Sequence, residues 1–225
     1  MNYCQFRNDF IKRMANAGGA TPILPPEYQQ VEYLQSSGTQ YINTGINAAS
    51  GDIIDVTIHF IGLNIANKAI MGSQKDNSGN NRTAVIFGYN GNANYVSIAS
   101  GNVSASASAT KFYARDYSEA LFRIDDQAKM ITGTCNGVAL TSQAYGGNLC
   151  TSSILLFNNN RANITEQISS ASLYYFKCII NGSVIRELVP CYRKSDNKPG
   201  MYDLVTNTFF TNAGTGEFTV GNDVL

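Results

Sequence analysis

Hydrophobic and polar residues alternate along most of this chain with a period of two. In the clearest stretch, Ile54, Val56, Ile58 and Phe60 interleave with Asp55, Thr57 and His59, which puts one face of an extended strand in a core and the other in water. Three Asn-Gly dipeptides, Asn90-Gly91, Asn136-Gly137 and Asn181-Gly182, each stand between runs rich in β-branched and aromatic residues. A two-residue type I′ turn needs positive φ at both central positions, which Asn and Gly tolerate, so each dipeptide predicts a hairpin. The predicted arms are Val85–Tyr89 with Tyr95–Ala99, Met130–Cys135 with Val138–Thr141, and Leu173–Ile180 with Ser183–Val189. Further strands are predicted over Gln40–Ile46, Lys68–Gly72, Ala120–Ile124, Ser153–Phe157, Thr208–Thr211 and Glu217–Val220, and polar loops over 77–81, 100–109 and 158–160. About a dozen strands with no further helical pattern predict an all-β fold, a two-sheet antiparallel sandwich spanning 28–225.

The N-terminus departs from this pattern. Tyr3, Phe6, Phe10 and Met14 recur at intervals of three and four, one apolar stripe of an amphipathic helix within residues 1–20 that Gly18-Gly19 ends. A helix this short is marginal in water unless its stripe docks, either on its own sandwich or on another chain. Pro22, Pro25 and Pro26 make 21–27 a stiff spacer, which suits an assembly anchor. The segment carries Arg7, Asp9, Lys12 and Arg13 and no continuous apolar run, so it does not read as a secretory signal. Either a signal has been removed or the protein leaves its cell by another route; the expectation is the second, such as the lysis that frees phage particles.

Composition narrows the partners. Sixteen Lys and Arg balance sixteen Asp and Glu in 225 residues, and only 14% of residues are charged, so no long-range field draws nucleic acid or an anionic membrane. No apolar stretch approaches the roughly 20 residues of a membrane-spanning helix. Cys4, Cys135, Cys150, Cys178 and Cys191 are odd in number and lack C-x-x-C spacing, which predicts free thiols and argues against a zinc site.

Candidate chemistry is sparse. His59 is the sole histidine, on the polar side of its strand and with no nucleophile elbow in the sequence, so a surface or inter-chain contact is expected. Asp125-Asp126 are adjacent, and a solvated turn before Lys129 is the expected setting. Sugar recognition needs an aromatic face and amide or charged hydrogen-bonding groups. Tyr89, Asn90, Asn92 and Tyr95 around the first Asn-Gly, and Asn158, Asn159 and Arg161 further on, supply both. Cross-strand pairing of the tyrosines and turn formation by the amides explain the same residues without a ligand.

Two segments carry a resemblance. Residues 24–45, LPPEYQQVEYLQSSGTQYINTG, and the closing stretch from Cys191-Tyr192-Arg193 through Gly200-Met201-Tyr202-Asp203-Leu204-Val205 to Phe209-Phe210-Thr211-Asn212 resemble the opening and closing strands of laminin-G-like, concanavalin A-like lectin/glucanase jelly rolls. The resemblance covers about residues 24–221 and implies a jelly roll whose loops bind sugar in many relatives; it implies no reaction. Glucanases of that superfamily carry Glu-x-Asp-x-Glu on one strand, and this chain has no such triplet. Some relatives hold calcium through loop carboxylates and carbonyls, but no residue set here marks such a site. The resulting expectation is a non-enzymatic phage virion protein, a fibre, decoration or tail-tip component. Its jelly roll would attach to host-surface glycan and its N-terminal helix would join other virion chains or its own copies. A bacterial surface adhesin, a purely structural virion protein and a glycoside-active enzyme are the alternatives.

Overall fold

The computed structural model describes residues 24–63, 68–75, 82–87, 95–100, 103–108, 118–161, 164–166 and 168–224. The predicted N-terminal helix and the 77–81 loop lie outside these residues. Along the chain run β1 (Tyr28–Gln30), β2 (Leu34–Ser37), β3 (Ile42–Asn43), β4 (Ile53–Gly62), β5 (Lys68–Gln74), β6 (Arg82–Phe87) and β7 (Tyr95–Ser100). Next come β8 (Val103–Ser108), β9 (Ser118–Asp125), β10 (Met130–Cys135), β11 (Val138–Ala139), β12 (Gln143–Ala144), β13 (Leu155–Leu156) and β14 (Asn159–Arg161). The last are β15 (Ile164–Glu166), β16 (Ser170–Ile180), β17 (Ser183–Arg193), β18 (Lys198–Asp203), β19 (Thr208–Thr211) and β20 (Thr219–Val220).

They form two sheets. The first is ordered β11-β10-β9-β4-β16-β17-β18-β19, with β1, β2, β12 and β20 joined to it. The second is ordered β15-β14-β5-β6-β7-β8, with β13 paired to β5 and β3 paired to β13. Between them lies the core, with Ile54, Val56, Ile58 and Phe60 of β4, Phe176 and Cys178 of β16, Met71 of β5, Val85 of β6 and Ile98 of β7. The alternation read from β4 therefore sets the inward face of the first sheet. The Asn-Gly corners at 136 and 181 also fold as predicted, with φ of 51° at Asn136, 74° at Gly137, 50° at Asn181 and 81° at Gly182.

A second, smaller apolar cluster sits on the outward face of the first sheet. Leu24, Tyr175, Val189, Cys191 and Tyr202 are buried there, with Tyr28, Leu204 and Phe209 packed against them. The Tyr28 ring lies 4.9 Å from Tyr202 and 5.0 Å from Phe209. Residues 24–27 are thus held against the sandwich, and the Lys194 N–H donates to the Glu27 carbonyl.

Several boundaries differ from the sequence reading. The stretch 100–109, read as a loop, contains β8, because a Ser-Ala repeat has no hydrophobic contrast for periodicity to detect. The predicted loop 158–160 lies largely in β14, which runs parallel to β5, the one parallel pair among the described strands. Ser153–Phe157 shortens to Leu155–Leu156 because Phe157 turns the chain with φ of 64°. Gln40–Ile46 pairs as a strand only at Ile42–Asn43. Thr44 replaces further ladder bonds by donating its hydroxyl to the Ile154 carbonyl at 2.7 Å and accepting from the Ile46 N–H.

Candidate functional site

The second sheet carries the amide residues singled out in the sequence. Met71, Val85 and Ile98 point into the core, so the residues one step away, Gly72 and Ala84, point outward. Ala69 and Ala84 form a separate buried pair on this face. Gln74 stands two residues beyond Gly72 and shares its face. The Asn159 side chain lies over Gly72: a Cβ added there would come within 2.6 Å of Asn159 Oδ1 and 3.2 Å of the Ala84 Cβ. Asn159 Nδ2 donates to Gln74 Oε1 at 3.0 Å. The Asn159 N–H donates to Asn158 Oδ1 at 2.7 Å, while Asn158 Nδ2 has no acceptor among the described residues. Asn158 and Asn159 are fully buried and Gln74 is 4% exposed.

Local geometry explains the convergence. β13 runs antiparallel to β5, Phe157 reverses the chain, and β14 returns parallel to β5 with Arg161 level with Gln74. Gln74 faces Arg82 across the next pair of strands. One row therefore places Arg161, Gln74 and Arg82 side by side on three strands. Gln74 and Arg82 were not singled out in the sequence; both lie next to the polar 76–81 stretch and carry no local signal of their own.

The other half of the predicted ligand set is elsewhere. Tyr89, Asn90 and Asn92 lie outside the described residues, as do Tyr3, Phe6, Phe10 and Met14. Tyr95 begins β7, and its neighbour Val96 pairs with Phe87, which in turn faces Lys68. Lys68 and Gln74 are opposite ends of β5, about 20 Å apart at the usual rise per residue. Tyr95 and the Asn158–Arg161 segment therefore do not meet in one site.

Two expectations are corrected. Asp126 does not sit in a solvated turn: it is 3% exposed. Its Oδ1 accepts from Lys129 Nζ and from the Tyr145 hydroxyl, each at 2.7 Å, and its Oδ2 accepts from the Gly51 N–H at 2.8 Å. Burial alone would raise this carboxyl, but those donors outweigh it and hold the group below the usual range. His59 does lie on the polar side of β4, yet it is 6% exposed. Its ring packs 5.3 Å from Tyr175 and its Nε2 is 3.6 Å from Glu119 Oε2. Burial lowers its pKa to about 4, so it is neutral at ordinary pH.

The described cysteines, Cys135, Cys150, Cys178 and Cys191, are free and buried, and Cys4 lies outside the described residues. Burial pushes the thiols of Cys135, Cys178 and Cys191 up to about 12, which keeps them protonated and unreactive. Among the described residues no cluster of His, Cys, Asp and Glu could hold a metal ion. The two most buried carboxylates are already engaged, Asp126 as above and Asp203 by the N–H groups of Glu187 and Val205 and the Thr206 hydroxyl. A calcium ion held by either therefore does not fit. What the outward face of the second sheet holds chemically is a buried pair of neutral amides, Gln74 and Asn159, with Arg82 in register beside Gln74.

The sequence matches no protein-family model and no curated protein. The fold is shared with solved β-sandwiches. The SAP-like pentraxin of Limulus polyphemus is 8% identical, with 90% of this chain and 98% of that chain covered at a TM-score of 0.54. The CBM40 of the Ruminococcus gnavus IT-sialidase is 12% identical, with 73% and 94% covered at 0.47. The NanB sialidase of Streptococcus pneumoniae, as its K499G mutant, is 13% identical, with 90% and 39% covered at 0.49. The likeness is one of architecture: this chain is an all-β sandwich of two sheets.

Proposed function

We propose that this chain is a non-enzymatic, lectin-like module that attaches to cell-surface glycan, displayed on a phage virion and tethered through its N-terminal segment. The observation that carries this reading is the opposed use of the two outward faces. Leu24 and Tyr28 are seated on the outward face of the first sheet. The amides Gln74, Asn158 and Asn159 lie on the second sheet, where they are buried and support that sheet's surface from beneath.

The test is a glycan array probed with the intact chain, run beside an assay for released sugar. Binding without release is the expected result. Released product would replace the module with an enzyme, and a featureless array would leave only protein-to-protein contacts. Incorporation into purified particles after deletion of residues 1–20 tests the tether: loss is expected, and unchanged incorporation would overturn it.

A further inference from the structure

Two of the Asn-Gly corners use the same device and differ in one contact. At the β10–β11 corner the Asn136 N–H donates to the Glu119 carbonyl and Asn136 Oδ1 accepts from the Glu119 N–H, both at 2.8 Å. At the β16–β17 corner the Asn181 N–H donates to the Ile53 carbonyl and Asn181 Oδ1 accepts from the Ile53 N–H, both at 2.9 Å. Cys135 pairs with Ala120, and Ile180 with Ile54. Each asparagine therefore adds one more rung to its ladder, with its side-chain oxygen standing in for a backbone carbonyl that the turn has rotated away. The difference lies at Nδ2. Asn181 Nδ2 donates to Asp52 Oδ1 at 2.9 Å, whereas Asn136 is exposed and its Nδ2 has no partner among the described residues.

We propose that Asn136-Gly137 is a spontaneous deamidation site of the folded chain and that Asn181-Gly182, the same dipeptide in the same turn, is protected by Asp52. In this reaction the Gly137 nitrogen attacks Asn136 Cγ and forms the new N–Cγ bond of a succinimide. The Cγ–Nδ2 bond breaks, and Nδ2 leaves as ammonia with the proton from the Gly137 amide. Water then opens the ring at either carbonyl, giving aspartate or isoaspartate. To face Gly137 the Asn136 carboxamide gives up one hydrogen bond. The Asn181 carboxamide must give up two, one of them to a carboxylate and so the stronger kind. The products differ as well. Aspartate at 136 keeps the oxygen that accepts from Glu119, while aspartate at 181 would set its carboxylate against that of Asp52.

The experiment incubates the intact chain at mildly alkaline pH, folded and in urea, and follows both sites by peptide mass spectrometry. In urea the two sites should convert at similar rates. In the folded chain Asn136 should convert about tenfold faster than Asn181, the factor that one extra charge-assisted hydrogen bond supplies. Equal folded rates, a faster Asn181, or no conversion at Asn136 would each overturn the proposal. Asp52→Ala should raise the Asn181 rate toward that of Asn136, and an unchanged rate would remove Asp52 as the protecting group.

Discussion

The outward faces of the two sheets are built on opposite principles. On the first, several charges are answered by cross-strand neighbours. Arg123 holds Asp55 through two bonds of 2.7 and 2.9 Å, Lys177 pairs with Glu187 at 3.0 Å, and the Tyr175 hydroxyl donates to the same Glu187 at 2.7 Å. On the second, small residues, Ala69, Gly72 and Ala84, form a floor on which buried amides pair with each other. Exposed ion pairs contribute little individually, which suits a scaffold. Buried amides cost free energy unless satisfied, and on the second sheet the Asn159–Gln74 hydrogen bond supplies part of that satisfaction. The comparison teaches that polar groups are settled differently in the two layers, a division between cross-strand ion pairs and buried amides.

The strongest way to break that division is through the core of the first sheet. Phe176 is fully buried and stands in register between Ile58 and Leu188. Phe176→Ala should cost about 3–5 kcal/mol in urea unfolding, the range for deleting a fully enclosed aromatic side chain. A loss under about 1 kcal/mol would show that the first sheet is not where stability resides.

The next effect belongs to His59. Its folded pKa is about 4, against 6.5 unperturbed, so between those values the unfolded chain binds a proton that the folded chain refuses. Stability is then complete above pH 6.5 and falls as the pH drops toward 4. The total is about 3 kcal/mol, converting the shift at 1.36 kcal/mol per unit. Unfolding measured across this window should show the slope in the natural chain and a flatter profile in His59→Phe. An identical slope in both would assign it to other groups.

How much of this was legible in the sequence depends on how local the cause is. The corners at Asn136 and Asn181 could be read because the dipeptide itself dictates φ, and β4 because alternation is a property of consecutive residues. Burial of His59 could not: alternation assigns it to the wet face, and only the folded position of Tyr175, more than a hundred residues away, encloses it. The meeting of Gln74 with Asn159 was equally hidden. It depends on Phe157 taking a left-handed conformation so that β14 returns parallel to β5, and a phenylalanine gives no sign of positive φ. Asn158, Asn159 and Arg161 were found by residue type, but their burial and their strand were not. β8 escaped because alternating Ser and Ala differ too little in hydrophobicity to show a period.

The smallest expected change in stability separates the two sheets most sharply. Gly72 and Gly133 are both crowded glycines, one on each sheet. A Cβ at Gly133 would meet the Leu121 carbonyl oxygen at 2.5 Å and Phe122 Cβ at 2.8 Å, atoms of a paired strand that cannot step aside. A Cβ at Gly72 would meet Asn159 Oδ1 at 2.6 Å, the far end of a side chain that can swing away. Gly133→Ala should therefore cost about 3 kcal/mol and Gly72→Ala about 1 kcal/mol, the two ends of the overpacking range. Function should rank them in reverse. Gly72→Ala pushes Asn159 off Gln74 and, by disturbing the surface that this buried pair supports, should weaken binding on the glycan array while leaving the melting profile nearly intact. Gly133→Ala, once folded, should bind as the natural chain does. Retained binding in Gly72→Ala with a displaced Asn159 would show that the amide pair does not support a recognition surface and return the second sheet to a purely structural role.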